Sequence, residues 1–98
     1  MHARVSHLAG SPENVEQGIA LFRDSILPEL KSLEGNRGAI LFVDRASGEA
    51  MSVTLWDNEA AMQGSEERAN EMRSSASEDI GAAGEARVEL YEVAVFET

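Results

Sequence analysis

The run "AILFVDRASGEAMSVTLW", Ala39 to Trp56, constrains this chain more than any other stretch. Its two arms, Ala39–Arg45 and Ala50–Trp56, are rich in strand-forming residues. Between them lies "ASGE", with Ser47-Gly48 at the tip, which reads as an antiparallel β-hairpin. In the second arm Met51, Val53 and Leu55 alternate with Ala50, Ser52, Thr54 and Trp56, so the two sets face opposite sides of a sheet. After Trp56, the only tryptophan, the pattern changes to the acidic, alanine-rich "DNEAAMQ". Asp57 is placed to cap a helix there.

The flanks complete the pattern. Ala3–Ala9 alternates Val5 and His7 against Arg4, Ser6 and Leu8, as a strand does. Ser11-Pro12 is a helix start, with serine as cap and proline in the first turn. Val15, Ile19, Phe22, Ile26, Leu30 and Leu33 then recur at helical steps of three and four. Pro28 should kink or interrupt this helix near Asp24–Leu27, and Lys31 with Gly35 marks its end. A weaker stripe through Ala61, Ser65, Ala69, Met72 and Ala76 predicts a second helix that stops near Arg73–Ser77. A connection over 74–85 leads to a last strand, Ala86–Glu97. Strand, helix, strand, strand, helix, strand is a ferredoxin-like α+β order. It predicts one domain over 1–98, a four-stranded antiparallel sheet with two helices on one face. The strand faces mix apolar and polar residues. That suits a half-wet surface, a dimer interface or a cavity between two sheets.

Charge narrows the function. The 98 residues include 18 acidic and 8 basic ones, a net charge of -10. Such a surface repels phosphate backbones and anionic headgroups, so neither nucleic acid nor membrane is an expected partner. The lack of cysteine excludes disulfides, thiolate catalysis and cysteine zinc sites. No run has the ~20 apolar residues of a membrane span, and the first residues lack a signal-peptide core. The expectation is a soluble cytoplasmic protein. Aromatics are only 5%, and much of the apolar fraction is small. So thin a core favours a partner subunit. "SEERANEM" and "SSASEDI" read as a solvated face without calcium-loop spacing. No phosphate loop, dinucleotide fingerprint, metalloprotease motif or serine triad is present.

The segment "ILPELKSLEGNRGAILFVDRASGEAMSVTLWDNEAAM", Ile26 to Met62, resembles the antibiotic biosynthesis monooxygenase superfamily. The shared features are a helix ending in Leu-Glu-Gly, a hairpin with Ser-Gly, and a strand ending in Leu-Trp before an acidic helix start. The resemblance implies a homodimeric α+β barrel in which two sheets pair and the C-terminal strand reaches into the partner. It implies a cavity between sheet and helices or at the barrel mouth. It also implies a cofactor-free monooxygenase that oxidises a small aromatic or polycyclic molecule with O2. The alternative is a non-catalytic small-molecule-binding or interaction dimer.

On that reading His7 is the catalytic base, because deprotonating a phenol-like substrate starts the reaction with O2. Trp56, Tyr91 and Phe42 are the substrate-contacting residues. Trp56 also has a structural reading, as the large side chain that fills the strand–helix junction. Tyr91 in turn has a role available across the dimer. No cofactor is expected. Heme-degrading members of the superfamily carry an Asn at the end of the first strand, near His7 here. They also carry a second Trp and an axial His, at positions that fall on Ser65 and Ser75 in this sequence. Heme ligation is therefore disfavoured.

Overall fold

The first strand occupies the middle of the sheet and pairs on both edges, so the chain's opening residues organise the rest. The computed structural model describes residues 1–71 and 87–97. Strands β1 (His2–Leu8), β2 (Asn36–Val43), β3 (Ala50–Trp56) and β4 (Arg87–Glu92) form one sheet in the order β2-β3-β1-β4, with every pair antiparallel. The helical layer begins with a 3-10 turn, Pro12–Asn14. It continues through α1 (Val15–Leu21), a π-helical turn (Phe22–Ile26) and α2 (Leu27–Ser32). After β3 come α3 (Glu59–Gly64) and a further helical stretch over 66–71. This is the ferredoxin-like arrangement expected from the sequence, with the helices on one face.

Register fixes which side chains meet the helices. His2, Arg4, Ser6 and Leu8 stand opposite Trp56, Thr54, Ser52 and Ala50, and Ala39, Leu41 and Val43 share that face from β2. The open face carries Ala3, Val5 and His7, with Ile40, Phe42, Met51, Val53, Leu55, Arg87, Glu89 and Tyr91. Trp56 is fully buried on the covered face. With Leu30 and Met62 it forms the core, and Phe22, Ile26, Leu33, Ala39 and Ala61 pack around them.

Pro28 has the effect its chemistry predicts. It has no N–H to offer the Asp24 carbonyl one turn back, so the helix widens into the π-turn just before it. At the hairpin, the Asp44 carboxylate accepts from the N–H groups of Ala46 and Ser47, and the Asp44 carbonyl from Gly48 N–H at 2.8 Å. Gly48 has φ +81 and sits against the backbone of Ser11 and Pro12. The hairpin tip thus folds over the start of the first helix.

Three expectations are corrected. Asp57 does not cap α3. Its N–H still bonds Gly35 C=O at 2.8 Å and its carboxylate pairs with Arg37 at 2.6 Å. Asn58, one residue on, accepts from Ala61 N–H at 2.8 Å and is the cap. Ser11 makes no side-chain cap either, because its hydroxyl accepts from the Asn14 amide instead. The last strand stops at Glu92, not Glu97. Glu92 pairs with His2, the first residue of β1, so the partner strand ends there. One further bond, Val93 N–H to Met1 C=O at 2.9 Å, closes the edge. The expected 74–85 connection lies outside the described residues, as do Met72 and Ala76.

Two glycines should respond to alanine with opposite signs in urea titration. At Gly48 a Cβ would lie 2.3 Å from the Ser11 carbonyl carbon. Gly48→Ala should cost at least about 1–2 kcal/mol, the cost of left-handed backbone alone. At helical Gly64 nothing lies within 4 Å, so Gly64→Ala should stabilise by about 0.5–1 kcal/mol.

Candidate functional site

Between the sheet and the first helical rod lies a cleft with about 830 Å³ of empty space, its solvent mouth included. The floor is the covered sheet face: Arg4, Ser6 and Leu8 from β1, Ala50, Ser52 and Thr54 from β3, Leu41 and Val43 from β2. The roof is Val15, Gly18, Ile19 and Leu21 of α1, then Phe22 and Ile26 of the π-turn and Leu30 of α2. Gly10, Ser11, Asn14 and Gly48 frame the mouth, where the hairpin tip meets the helix start. Apolar walls with a few polar groups are the usual make-up of a small-molecule pocket.

Arg4 closes the inner end. Its side chain is 2% exposed, yet its charge is compensated. One terminal nitrogen donates to Ser65 Oγ at 3.2 Å. The other donates to Met62 C=O at 2.5 Å and pairs with Glu66 at 2.8 Å. The guanidinium lies 5.6 Å from the centre of the Trp56 ring, within cation–π range. Trp56 in turn donates from Nε1 to Thr54 Oγ1 at 2.9 Å. A buried cation is tolerable only when so held, and here its partners fix α3 to the sheet. The sequence reading missed this anchor, although Arg4 alternating with Ser6 and Leu8 placed it on the right face.

The open face carries a second polar cluster. His7 Nε2 lies 2.6 Å from Glu89 Oε1. At that distance the ring nitrogen carries the proton and donates it. Arg87 is 3.3 Å from the same nitrogen, so it contributes charge there and not a second hydrogen bond. The Tyr91 hydroxyl donates to the other Glu89 oxygen at 2.8 Å. The Glu89 carboxyl is held below its ordinary range, first by the Tyr91 hydroxyl and then by His7. The Tyr91 phenol is pushed above its ordinary value, chiefly by its bond to Glu89.

The four site residues expected from the sequence therefore divide. His7, Phe42 and Tyr91 share the open face. Trp56 is on the covered face, buried beside the cleft but not lining it. Ser65, where heme-degrading enzymes carry a second Trp, holds Arg4. Among the described residues no group of three or more His, Asp or Glu side chains is placed to hold a metal ion. No helix of the described residues is long and apolar enough to cross a membrane.

The same architecture recurs in solved structures. A monooxygenase from the ActVA-Orf6 gene of Streptomyces coelicolor, in complex with Nanaomycin D, superposes with a TM-score of 0.77 at 16% identity. The match covers 99% of this chain and 92% of that one. A structure described as an antibiotic biosynthesis monooxygenase matches at 0.68 and 18% identity, over 97% and 100% of the two chains. The fold is that of the antibiotic biosynthesis monooxygenases. SnoaB, a cofactor-independent oxygenase from Streptomyces nogalater, shares this monooxygenase fold at 0.69 and 10% identity, over 97% and 94%. No family model matches the sequence. In Mycobacterium tuberculosis the uncharacterized protein Rv2558 is 36% identical over 95 residues, 97% of this chain. The chain spans only 39% of that relative's length.

Two measurements check the site's physics. Arg4→Ala leaves Ser65 and the Met62 carbonyl short of a donor and strands Glu66. It should cost about 2–3 kcal/mol in urea titration, below the figure for a wholly buried pair because Glu66 is half exposed. Lowering the Glu89 pKa on folding adds stability above the ordinary carboxylate pKa. That stability is lost as pH falls through the lowered folded value. Glu89→Gln should therefore lose less stability than the natural chain between neutral pH and the acid limb. Raising the Tyr91 pKa acts on the alkaline limb: its contribution is present below the ordinary phenol pKa and lost as pH rises through the raised one.

Proposed function

We propose that this domain binds a small, flat, largely apolar molecule in the cleft between its sheet and first helical rod, as half of a homodimer paired through the open sheet faces. The apolar cleft over a polar floor carries the reading. Ring systems with oxygen substituents, in the class of quinols and anthrones, fit that chemistry. O2-dependent, cofactor-free oxidation of such a molecule is the activity the fold suggests. A Streptomyces coelicolor monooxygenase of this fold is solved with Nanaomycin D, and SnoaB is a cofactor-independent oxygenase. This transfer is fold-level analogy. Binding without turnover is favoured by one observation: Arg4 is the only titratable side chain among the described residues that line the cleft. His7 lies across the sheet from it, so within one chain it does not meet a molecule bound there. As a base it would act on a molecule at the open face, with Glu89 orienting its ring.

Pairing is supported by the open face itself, where Ile40, Phe42 and Tyr91 are 42%, 49% and 50% exposed. Beyond β4, Val95 and Phe96 also stand in solvent, which suits a tail that reaches a partner.

Calorimetric binding and O2 uptake with a panel of quinols and anthrone-like compounds test the function. Saturable binding is expected, and a panel that shows neither binding nor uptake removes the reading. If uptake occurs and His7→Ala leaves it intact, His7 is not the base. Light scattering at micromolar concentration should give a dimer mass, and Phe42→Asp should shift it toward the monomer. A strictly monomeric natural chain would rule out the pairing.

A further inference from the structure

A sheet face covered by helices is normally apolar along its central strands. Here two consecutive rungs across β3 and β1 are polar at the centre and apolar outside. One reads Ala39–Thr54–Arg4–Leu90, the next Leu41–Ser52–Ser6–Val88. The first rung has internal uses. Arg4 is held by Met62, Ser65 and Glu66, and Thr54 accepts from Trp56. The second rung has none among the described residues. Ser6 and Ser52 are direct cross-strand partners on the cleft floor. Neither hydroxyl makes a side-chain hydrogen bond among the described residues. Ser6 is nevertheless only 4% exposed.

Hydroxyls on a covered sheet face are ordinarily partnered, and these two open onto the cleft without being sealed in. Where a sequence departs from the rule that covered sheet positions are apolar, a functional site is the usual reason. We propose that Ser6 and Ser52 are the specificity-determining pair of the cleft. They hydrogen-bond an oxygen substituent on the edge of an apolar ring system and so fix its orientation. A hydroxyl both donates and accepts, so the pair serves a phenol as donor and a ring ketone as acceptor. Leu8, Leu41, Val43, Ile19 and Phe22 enclose the hydrocarbon part. Arg4, one rung deeper with its charge already compensated, leaves the serines to read the ligand. This rests on the cleft-binding reading above and specifies which ligands it takes.

The test uses 2-naphthol and naphthalene as probes, with affinities measured by fluorescence on the full chain. The natural chain should bind 2-naphthol about tenfold tighter than naphthalene, the scale of one net hydrogen bond. In the S6A/S52A double variant that ratio should fall toward unity while naphthalene binding holds or tightens. The variant's urea midpoint should be unchanged or slightly raised, because the hydroxyls it removes have no side-chain hydrogen bond among the described residues. A ratio that survives in the variant overturns the proposal, and so does a lowered midpoint, which would make the serines structural. Equal binding of both probes by the natural chain overturns the serine pair but leaves the cleft reading intact. Binding of neither probe overturns both.

Discussion

The Arg4 guanidinium is the contact on which the arrangement of this domain depends. It rises from the central strand into the layer between sheet and helices, where an unpaired charge would be very costly. Three of its partners among the described residues come from one place, the turn where α3 ends. The Met62 carbonyl, the Ser65 hydroxyl and the Glu66 carboxylate converge on it there. Ser65 also donates to that same Met62 carbonyl at 2.7 Å, which holds the turn in shape. These polar contacts are directional, so they position the second helical region more sharply than apolar packing does. Trp56 fills the space beneath the cation and ties itself to Thr54. The pair thus joins β1, β3 and α3 into one unit and seals one end of the cleft.

The other end is governed by backbone. Gly48 lets the β2–β3 hairpin tip fold against Ser11 and Pro12, closer than any side chain would allow. The π-turn before Pro28 places Phe22 and Ile26 on the cleft roof. A thin core and an open cleft are therefore two results of one arrangement. The apolar side chains Leu30, Trp56 and Met62 gather where α2 and α3 meet the sheet. The space under α1 is left open as the cleft.

The sheet gives the chain two faces with different chemistry. The covered face carries the cleft, with hydroxyls and one compensated cation on its floor. The open face carries aromatic and aliphatic side chains beside the His7–Glu89–Tyr91 cluster. A residue's face follows from whether its number along the strand is odd or even. That is why four side chains that seem to belong together in the sequence separate into two groups in space.

Period and punctuation in the sequence were enough to determine the presence of the four strands, the long first helix, its disturbance before Pro28, the hairpin tip and a helix end ahead of Gly35, which falls at Ser32. They also showed that Arg4, Ser6 and Leu8 share a face opposite His7. These features are local, set by side-chain size, by proline's missing N–H and by glycine's freedom, and so are legible in one dimension. What only the tertiary structure decided is which face the helices cover, that Asn58 and not Asp57 caps α3, and that β4 ends opposite the first residue of β1. It also decided that Ser65 serves Arg4 while the Ser6 and Ser52 hydroxyls bond no group among the described residues. A hydrogen bond spanning 61 residues, as between Arg4 and Ser65, leaves no trace in local pattern. A serine's use depends wholly on what stands across from it.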